Sequence, residues 1–325
     1  MTQAAEENME FKVQPKLIIH GGAGSSLRGK GGLEAVRQSL YKVLEEVYEL
    51  LLSGATAKEA VVKGCQMLED DPRFNAGTGS VLQSDGQVRM SASLMDGTSQ
   101  SLSGVINVSR IKNPIDLALV LQSSPDRILS DYGSAELIRE LQIPSYDPIT
   151  DLRLQEWIKE RQQNFKRTMA GVVAEPEMVE NNSRRGTIGV VALDGGGRLA
   201  AGTSTGGKGF ERIGRVSDSA MPAGNYATVN AAVSCTGIGE HIIDECLAAR
   251  IVVRVTDGMS LKEAMQRSFG EAHQHQRDFG AIALDATGAI AWGKTSEALL
   301  AGYHNGDQIG DTLELPIGTE VGYLS

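Results

Sequence analysis

The clearest hydrophobic pattern in this chain predicts a helix from Leu33 to Leu51. Apolar residues there return at every third or fourth position, at Val36, Leu40, Val43, Leu44, Val47 and Leu51. This spacing forms one apolar face of an α-helix. Gly54 follows, and glycine commonly ends a helix. We therefore expect an amphipathic helix that packs on the core.

Polar starting residues indicate further helices. The capping pairs are Thr56 with Glu59, Asn113 before Pro114, and Ser260 with Glu263. A side chain that accepts a hydrogen bond from the first turn, or a proline in that turn, favours helix initiation. We predict helices after each of these starts, and another across residues 239–255.

Short apolar runs separated by turn residues predict strands. Leu17 to His20 indicates a buried strand that leads into a glycine-rich turn. Paired runs predict three hairpins: 80–82 with 88–94 around Asp85-Gly86, 187–193 with 199–205 around residues 194–197, and 281–292 around Thr287-Gly288. Residues 227–235 indicate one more strand. The order of strands, helices and strands predicts antiparallel sheets covered by helices, an α+β fold.

Two segments lack a core-forming pattern. Residues 1–14 are polar and acidic and predict a flexible tail, while residues 150–186 predict a mobile linker. An exposed helix over residues 154–165 is an alternative for the first half of that linker. The linker ends at Gly186, directly before the apolar run that begins at Thr187.

Charge and composition narrow the possible partners. The formal net charge is -10 and the pI is near 5.1, which opposes binding to nucleic acid or to an anionic membrane. Small-molecule or peptide substrates fit better. Three cysteines without close spacing predict neither a disulfide framework nor a zinc site, and together with the absence of a signal-peptide pattern they favour the cytoplasm.

Glycine-rich motifs carry the most specific information. Residues 185–194, RGTIGVVALD, resemble the cleavage-site strand of the plant-type asparaginases, also called isoaspartyl peptidases. Six further motifs occur in that family's order: HGGAG (20–24), FNAGTG (74–79), MDG (95–97), TSTGG (203–207), GRVSD (214–218) and SCTGIGE (234–240). The resemblance extends from Leu17 to about Asp307. Each motif alone is weak, whereas the ordered set is specific.

The resemblance implies a four-layer αββα sandwich of the N-terminal-nucleophile type. It implies autocatalytic cleavage between Gly186 and Thr187, which gives an α subunit of residues 1–186 and a β subunit of residues 187–325 within one structural domain. It also implies an (αβ)2 assembly. The expected activity is hydrolysis of β-aspartyl dipeptides and L-asparagine, with release of L-aspartate.

Thr187 suits the role of nucleophile on chemical grounds. A threonine hydroxyl needs a base, and five scattered histidines provide no obvious partner. Cleavage after Gly186 would free an α-amine with an ordinary pKa of about 7.7–8.0, which can accept the proton of its own residue's hydroxyl. Gly186 has no side chain to obstruct attack on the scissile carbonyl.

The resemblance assigns roles to further residues. Thr205 would lie beside the Thr187 hydroxyl, and Asn75 would position it. Thr236 and the amide of Gly237 would form the oxyanion hole, where losing one donor typically costs about 2.7–4 kcal/mol of transition-state stabilisation. An ordinary strand-end hydroxyl and a turn-forming asparagine are the structural alternatives for Thr236 and Asn75.

Arg215 and Asp218 would bind the substrate's aspartyl head group. A guanidinium can hold an α-carboxylate through two hydrogen bonds, while a carboxylate holds the α-ammonium. The oxyanion residue Gly237 would also contact the substrate. A surface ion pair between Arg215 and Asp218 is the alternative.

A structural sodium ion is also implied, whereas no cofactor is expected for catalysis. Main-chain carbonyl oxygens suit a hard cation. The oxygens implied by the resemblance belong to Leu68, Glu69, Asp71, Phe74, Ala76 and Thr78. An ordinary irregular loop is the alternative.

Other candidates receive structural or competing roles. His20 is expected to order the glycine-rich turn and Cys235 to be buried and inert. Residues 202–208 approach a phosphate-binding loop but lack the following hydroxyl, because Gly209 stands there. Departures from the family pattern at residues 208–213, Ser217 and Phe279 leave open a catalytically impaired paralogue with a binding or structural role. A glycosylasparaginase or a taspase-like protease is a further alternative.

Overall fold

The computed structural model describes residues 12–24, 30–162 and 186–325, which form helices and strands. The helices are α1 Leu33–Leu52, α2 Ala57–Asp70, α3 Pro114–Leu121, α4 Asp131–Glu140, α5 Asp151–Gln162, α6 Gly239–Glu245, α7 Leu247–Thr256 and α8 Leu261–Gln274. The strands are β1 Lys16–Ala23, β2 Met90–Asp96, β3 Ser101–Val108, β4 Ile128–Ser130, β5 Ile188–Leu193, β6 Leu199–Thr205, β7 Asn225–Ala227, β8 Ala231–Gly237, β9 Phe279–Asp285, β10 Ile290–Lys294, β11 Leu299–His304, β12 Ile309–Asp311 and β13 Glu320–Leu324.

Two sheets form the centre of the described structure. The larger has the order β12-β11-β1-β5-β6-β2-β3-β4, and the smaller has the order β13-β10-β9-β8-β7. Their pairs are antiparallel, except that β3 and β4 run parallel. The predicted antiparallel arrangement is confirmed.

Three hydrophobic clusters define four layers. One cluster joins the larger sheet to α1, α2 and α3, for example through Leu40, Val61 and Val190. A second lies between the sheets and contains Val191 and Ile282. The third joins the smaller sheet to α7 and α8. Strands covered on both faces have almost no exposed positions, which explains why their sequences are apolar runs. The αββα sandwich of the α+β class is thereby confirmed.

Local helix signals were accurate. The predicted helix at Leu33 and the capping boxes of Thr56 and Ser260 are all present. Proline occupies the first turn of α3, although the Asn113 side chain forms no capping bond. The helix predicted over residues 239–255 is divided between α6 and α7 at Cys246, which adopts a left-handed conformation with φ of 46°.

Strand partners were less accurate. The hairpins formed by β5 with β6 and by β9 with β10 are confirmed. The hairpin around Asp85-Gly86 is wrong: the turn exists, but residues 80–82 form no strand, and β2 pairs with β3 and β6. Residues 227–235 contain the end of β7, a turn and most of β8. The expected turn at Gly21 and Gly22 belongs to β1 instead.

The segments predicted to be mobile lie largely outside the described residues, namely most of the tail 1–14 and residues 163–185 of the linker. Its first half forms α5, so the helical alternative for that half is correct. The three cysteines are free thiols, and Cys65 and Cys235 are buried. No helix within the described ranges combines the length and apolar character needed to cross a membrane.

Candidate active site

Thr187 immediately precedes β5, a central strand of the larger sheet. Because Ile188 pairs with Ser204, the hairpin brings Thr187 opposite Thr205 at the end of β6. The Thr187 hydroxyl donates a hydrogen bond to Thr205 Oγ1 at 3.1 Å, and the Gly207 amide donates to the same oxygen at 3.1 Å. Both threonines are buried. The predicted pairing of the two hydroxyls is present in the structure.

A buried histidine holds the Thr187 main chain. His20 Nδ1 lies 3.0 Å from the Thr187 carbonyl oxygen and Nε2 lies 3.0 Å from Ser234 Oγ. Burial lowers the pKa of His20 to about 3, despite the hydrogen bond to Thr187, so the ring is neutral. A carbonyl oxygen can only accept, so Nδ1 carries the proton and Nε2 accepts from Ser234. His20 is therefore a neutral group that holds the Thr187 carbonyl in place.

Small residues make room for this network. Ser234 Oγ also lies 2.6 Å from Thr203 Oγ1, which links β8 to β6. A Cβ atom at Gly189 would approach Ser234 Oγ to 2.0 Å and His20 Nε2 to 2.3 Å. Glycine two residues after Thr187 is therefore a steric requirement, and it explains one position of the RGTIGVVALD motif.

Asn75 contacts the peptide bond that would be cleaved. Its main-chain amide donates to the Gly186 carbonyl oxygen at 3.1 Å. Its side-chain amide donates to the Gly207 carbonyl at 2.7 Å, and its side-chain oxygen accepts from Val81. Asn75 thus joins the loop after α2 to both ends of the β5–β6 hairpin. The structure thus places Asn75 beside the Gly186 carbonyl, whereas its role in positioning the Thr187 hydroxyl stays a prediction.

The candidate oxyanion residues end β8, which packs across from β5 and β6. Thr236 is buried, and its hydroxyl oxygen accepts a hydrogen bond from the Ala23 amide at 3.1 Å. Accepting this bond does not use the hydroxyl proton of Thr236, which can still be donated. Gly237 has φ of 139°, and a Cβ there would approach Phe279 Cα to 2.5 Å. Glycine is required at that position by both strain and space.

Arg215 binds a partner that the sequence did not indicate. Its Nε and Nη2 atoms donate to the two carboxylate oxygens of Glu240, at 2.9 and 3.1 Å. The surface ion pair of Arg215 with Asp218, the alternative considered from sequence, is not the arrangement found. Burial favours protonation of Glu240, but Arg215 outweighs it and lowers the pKa of Glu240 to about 2. The planar fork is thus preorganised for a carboxylate.

Asp218 lies beside this pair without a direct bond to it. Burial raises the pKa of Asp218 to about 6, although Arg215 opposes the shift. Among the described residues, Asp218 Oδ2 has no hydrogen-bond partner. A Cβ at Gly239 would lie 2.7 Å from both Arg215 Nη2 and Asp218 Oδ1, so the cation and the carboxylate converge at that glycine. Such a pair can receive an amino acid head group.

The candidate sodium loop begins at the last turn of α2. The Thr78 amide donates to the Glu69 carbonyl at 2.8 Å, and a Cβ at Gly77 would approach that oxygen to 2.3 Å. The loop therefore folds back on the helix end. Glu69 and Asp71 carbonyls each accept one backbone hydrogen bond, which leaves a lone pair on each oxygen. This donor set, all main-chain oxygen, is compatible with a hard cation.

Two buried charged residues that the sequence did not indicate lie beside Gly186 and Gly207. Lys30 lies against Gly186, and burial, followed by repulsion from Arg153, lowers its pKa to about 8. Glu211 accepts from the Lys208 amide at 3.3 Å and packs against Gly207, and burial raises its pKa. No motif marked either residue, because both lie where the chain departs from or falls outside the recognised segments.

Comparison with known proteins gives a consistent result over nearly the full chain. The sequence profile of the family described as asparaginase matches residues 13–314. An isoaspartyl peptidase/L-asparaginase from a Nostoc species is 76% identical over 98% of this chain and all of its own length. One from a Synechocystis species is 65% identical, covering 96% of this chain and 94% of its own. The human protein of the same description is 34% identical, covering 87% and 92%.

Proposed function

The chain belongs to the asparaginase family, and we propose that it is a threonine amidohydrolase that cleaves β-aspartyl dipeptides and L-asparagine to release L-aspartate. One observation carries this proposal: Thr187 directly follows Gly186, and its hydroxyl donates a hydrogen bond to Thr205 Oγ1. The names of these relatives lend no support to an impaired paralogue, a glycosylasparaginase or a taspase-like protease.

Processing comes first in the proposed mechanism. The Thr187 hydroxyl attacks the Gly186 carbonyl carbon, and the amide nitrogen leaves as the amine of Thr187. Water then hydrolyses the resulting ester and frees the hydroxyl. The hydrogen bond from the Asn75 amide to the Gly186 oxygen favours charge that develops on that oxygen. His20 keeps the Thr187 carbonyl fixed while the bond before it is broken.

Turnover then uses the freed amine as base. It accepts the hydroxyl proton as Thr187 Oγ1 attacks the β-carbonyl of the substrate, and the proton passes to the departing ammonia or amino acid. Thr236 and the Gly237 amide stabilise the oxyanion. Attack by water on the aspartyl ester releases L-aspartate and restores the hydroxyl. Thr205 orients the nucleophile through its 3.1 Å contact.

Arg215 and Asp218 together form what we call the head-group clamp, which accounts for specificity toward the aspartyl group. Arg215 supplies a two-pronged donor for the α-carboxylate, and the buried Asp218 supplies an acceptor for the α-ammonium. Glu240 marks where a carboxylate binds Arg215, so the substrate must share or displace that contact. A buried carboxylate with an unpartnered oxygen gains most from a cationic ligand.

Three further properties belong to the same proposal. Sodium would bind the main-chain oxygens of residues 68–78 and fix the loop that presents Asn75. Two processed protomers would associate as (αβ)2. The protein would act in the cytoplasm, and its three free thiols are compatible with a reducing compartment.

An activity panel tests the function. Fully processed protein should hydrolyse L-asparagine and several β-aspartyl dipeptides, with L-aspartate as the common product, and should leave the corresponding α-aspartyl dipeptides intact. The α-linked peptides are the matched control because they contain the same residues with a different head group. Absence of hydrolysis of both intended classes by cleaved protein would refute the proposal.

A further inference from the structure

Lys30 is a buried cation beside Gly186, the proposed scissile residue. The proposed mechanism assigns no role to Lys30. Only 8% of the Lys30 surface is exposed to solvent. A Cβ atom at Gly186 would lie 3.6 Å from Lys30 Nζ. The ammonium donates one hydrogen bond, to the Gly21 carbonyl at 3.3 Å, and lies 5.5 Å from the centre of the Phe74 ring. Among the described residues, these contacts leave two of its three N–H groups without an acceptor.

The carboxylates near Lys30 are already paired with arginines. Arg153 acts on it repulsively and Asp71 attractively. Asp71 is already engaged by Arg73 at 3.1 Å, and Arg153 donates to the Gly79 carbonyl and to Glu156. Among the described residues, the buried ammonium of Lys30 thus has no carboxylate partner of its own, and such a group is suited to an external anion.

The position of Lys30 differs from that of the head-group clamp. Arg215 and Asp218 converge at Gly239, whereas Lys30 converges with Gly186. The contacts of Lys30 and those of the clamp have no residue in common. When the aspartyl head group occupies the clamp, the leaving group must point away from it. Departure of Gly186 on cleavage would open the space beside Lys30 to that leaving group.

The chemistry of the two proposed substrates differs at this end. A β-aspartyl dipeptide leaves an amino acid with a free carboxylate, whereas L-asparagine leaves ammonia. We propose that Lys30 binds the C-terminal carboxylate of the leaving residue in β-aspartyl dipeptides and so favours them over L-asparagine. This assignment rests on the proposed function, because it names a specificity residue for the same nucleophile.

The test uses three substrates: β-Asp-Leu, its C-terminal carboxamide, and L-asparagine. In processed protein, Lys30→Met should lower kcat/KM for β-Asp-Leu by about tenfold to a hundredfold, the range for a hydrogen bond to a charged group. Hydrolysis of L-asparagine should change less than about threefold. Wild-type kcat/KM should fall by a similar factor when the carboxamide replaces β-Asp-Leu. For Lys30→Met, the same replacement should change kcat/KM little. Lys30→Arg should retain much of the preference.

Controls separate the possible failures. Lys112→Met removes an exposed ammonium paired with Asp70 and should leave all three rates unchanged. If Lys30→Met prevents processing, the comparison of acid with carboxamide in wild-type and Lys30→Arg protein still tests the proposal. Equal losses on asparagine and β-Asp-Leu, or equal wild-type rates on acid and carboxamide, would overturn it. Wild-type protein that hydrolyses neither substrate class would instead refute the proposed function.

Discussion

At the scale of single residues, the neighbours of each buried group in the site determine its protonation state. His20 is buried, and its partners among the described residues are a hydroxyl and a carbonyl, so they offer protonation no compensating charge. Asp218 is also buried, but it faces a guanidinium and titrates near neutrality. This difference suits His20 to holding the Thr187 carbonyl and Asp218 to the proposed binding of a cationic group. This distinction depends on environment, which the sequence motif does not express.

The raised pKa of Asp218 predicts a pH effect on catalysis. Two groups must lose a proton for turnover: the Thr187 amine, whose ordinary pKa is about 7.7–8.0, and Asp218, whose pKa is about 6. Below the pKa of the amine, log kcat/KM for L-asparagine should fall with a slope of one, and below about pH 6 with a slope of two. Asp218→Asn should lower the plateau and keep only the first slope. A slope of two that persists in this variant would contradict the assignment.

Arg215 offers a second test at this scale. Lysine cannot reproduce the planar fork, so Arg215→Lys should reduce kcat/KM for L-asparagine and β-aspartyl dipeptides alike, by about 2 to 5 kcal/mol. Processing should survive, because it requires no bound substrate. Glu240→Gln is the matched control: it preserves the guanidinium and should cost much less. Steady-state kinetics on cleaved protein test this prediction. An unchanged kcat/KM in Arg215→Lys would contradict the assignment of Arg215 to the α-carboxylate of the substrate.

At the scale of elements, the sequence predicted features that depend on neighbouring residues, such as helix starts. It did not predict all of the strand pairs, because some of them depend on residues far apart in the chain. Capping boxes at Thr56 and Ser260 act within one turn, so the pattern alone predicted both helices. The turn at Asp85-Gly86 was also recognised, yet β2 pairs with β3 and β6 because partner choice depends on the whole sheet. The motifs likewise named Thr187 and Arg215. SCTGIGE contains Glu240, but its pairing with Arg215 arises only through folding, and no motif contains Lys30.

The loop that follows α2 provides the test at this scale. If main-chain oxygens of residues 68–78 bind sodium, the ion stabilises the segment that carries Asn75. Exchange into buffer with choline as the only monovalent cation should lower the melting temperature and the activity without unfolding the protein. Restoring sodium should restore both. Identical melting curves and rates in sodium, potassium and choline would exclude the ion.

At the scale of the whole molecule, the proposed cleavage site, Gly186-Thr187, precedes a central strand of a sheet to which both parts of the chain contribute. Strands β1 to β4 precede Gly186, and β5, β6, β11 and β12 follow it. The order interleaves the two parts, so that β1 has β11 on one side and β5 on the other. The inter-sheet cluster also draws on both parts, for example Ile18 and Val191. Cutting the chain at residue 186 therefore removes one covalent bond and leaves the paired strands in place.

Processing should consequently change the covalent chain without changing the assembly. Purified protein should convert to fragments of residues 1–186 and 187–325, the second beginning with Thr187, while Thr187→Ala stays whole and Thr187→Ser is cleaved. On a denaturing gel the wild type should show two bands and Thr187→Ala one. In native gel filtration both should elute at the same volume, because ladder hydrogen bonds and the apolar core hold the fragments together. Another N-terminus would overturn the nucleophile assignment, whereas fragments that separate without denaturant would show that the interleaved sheet does not survive cleavage.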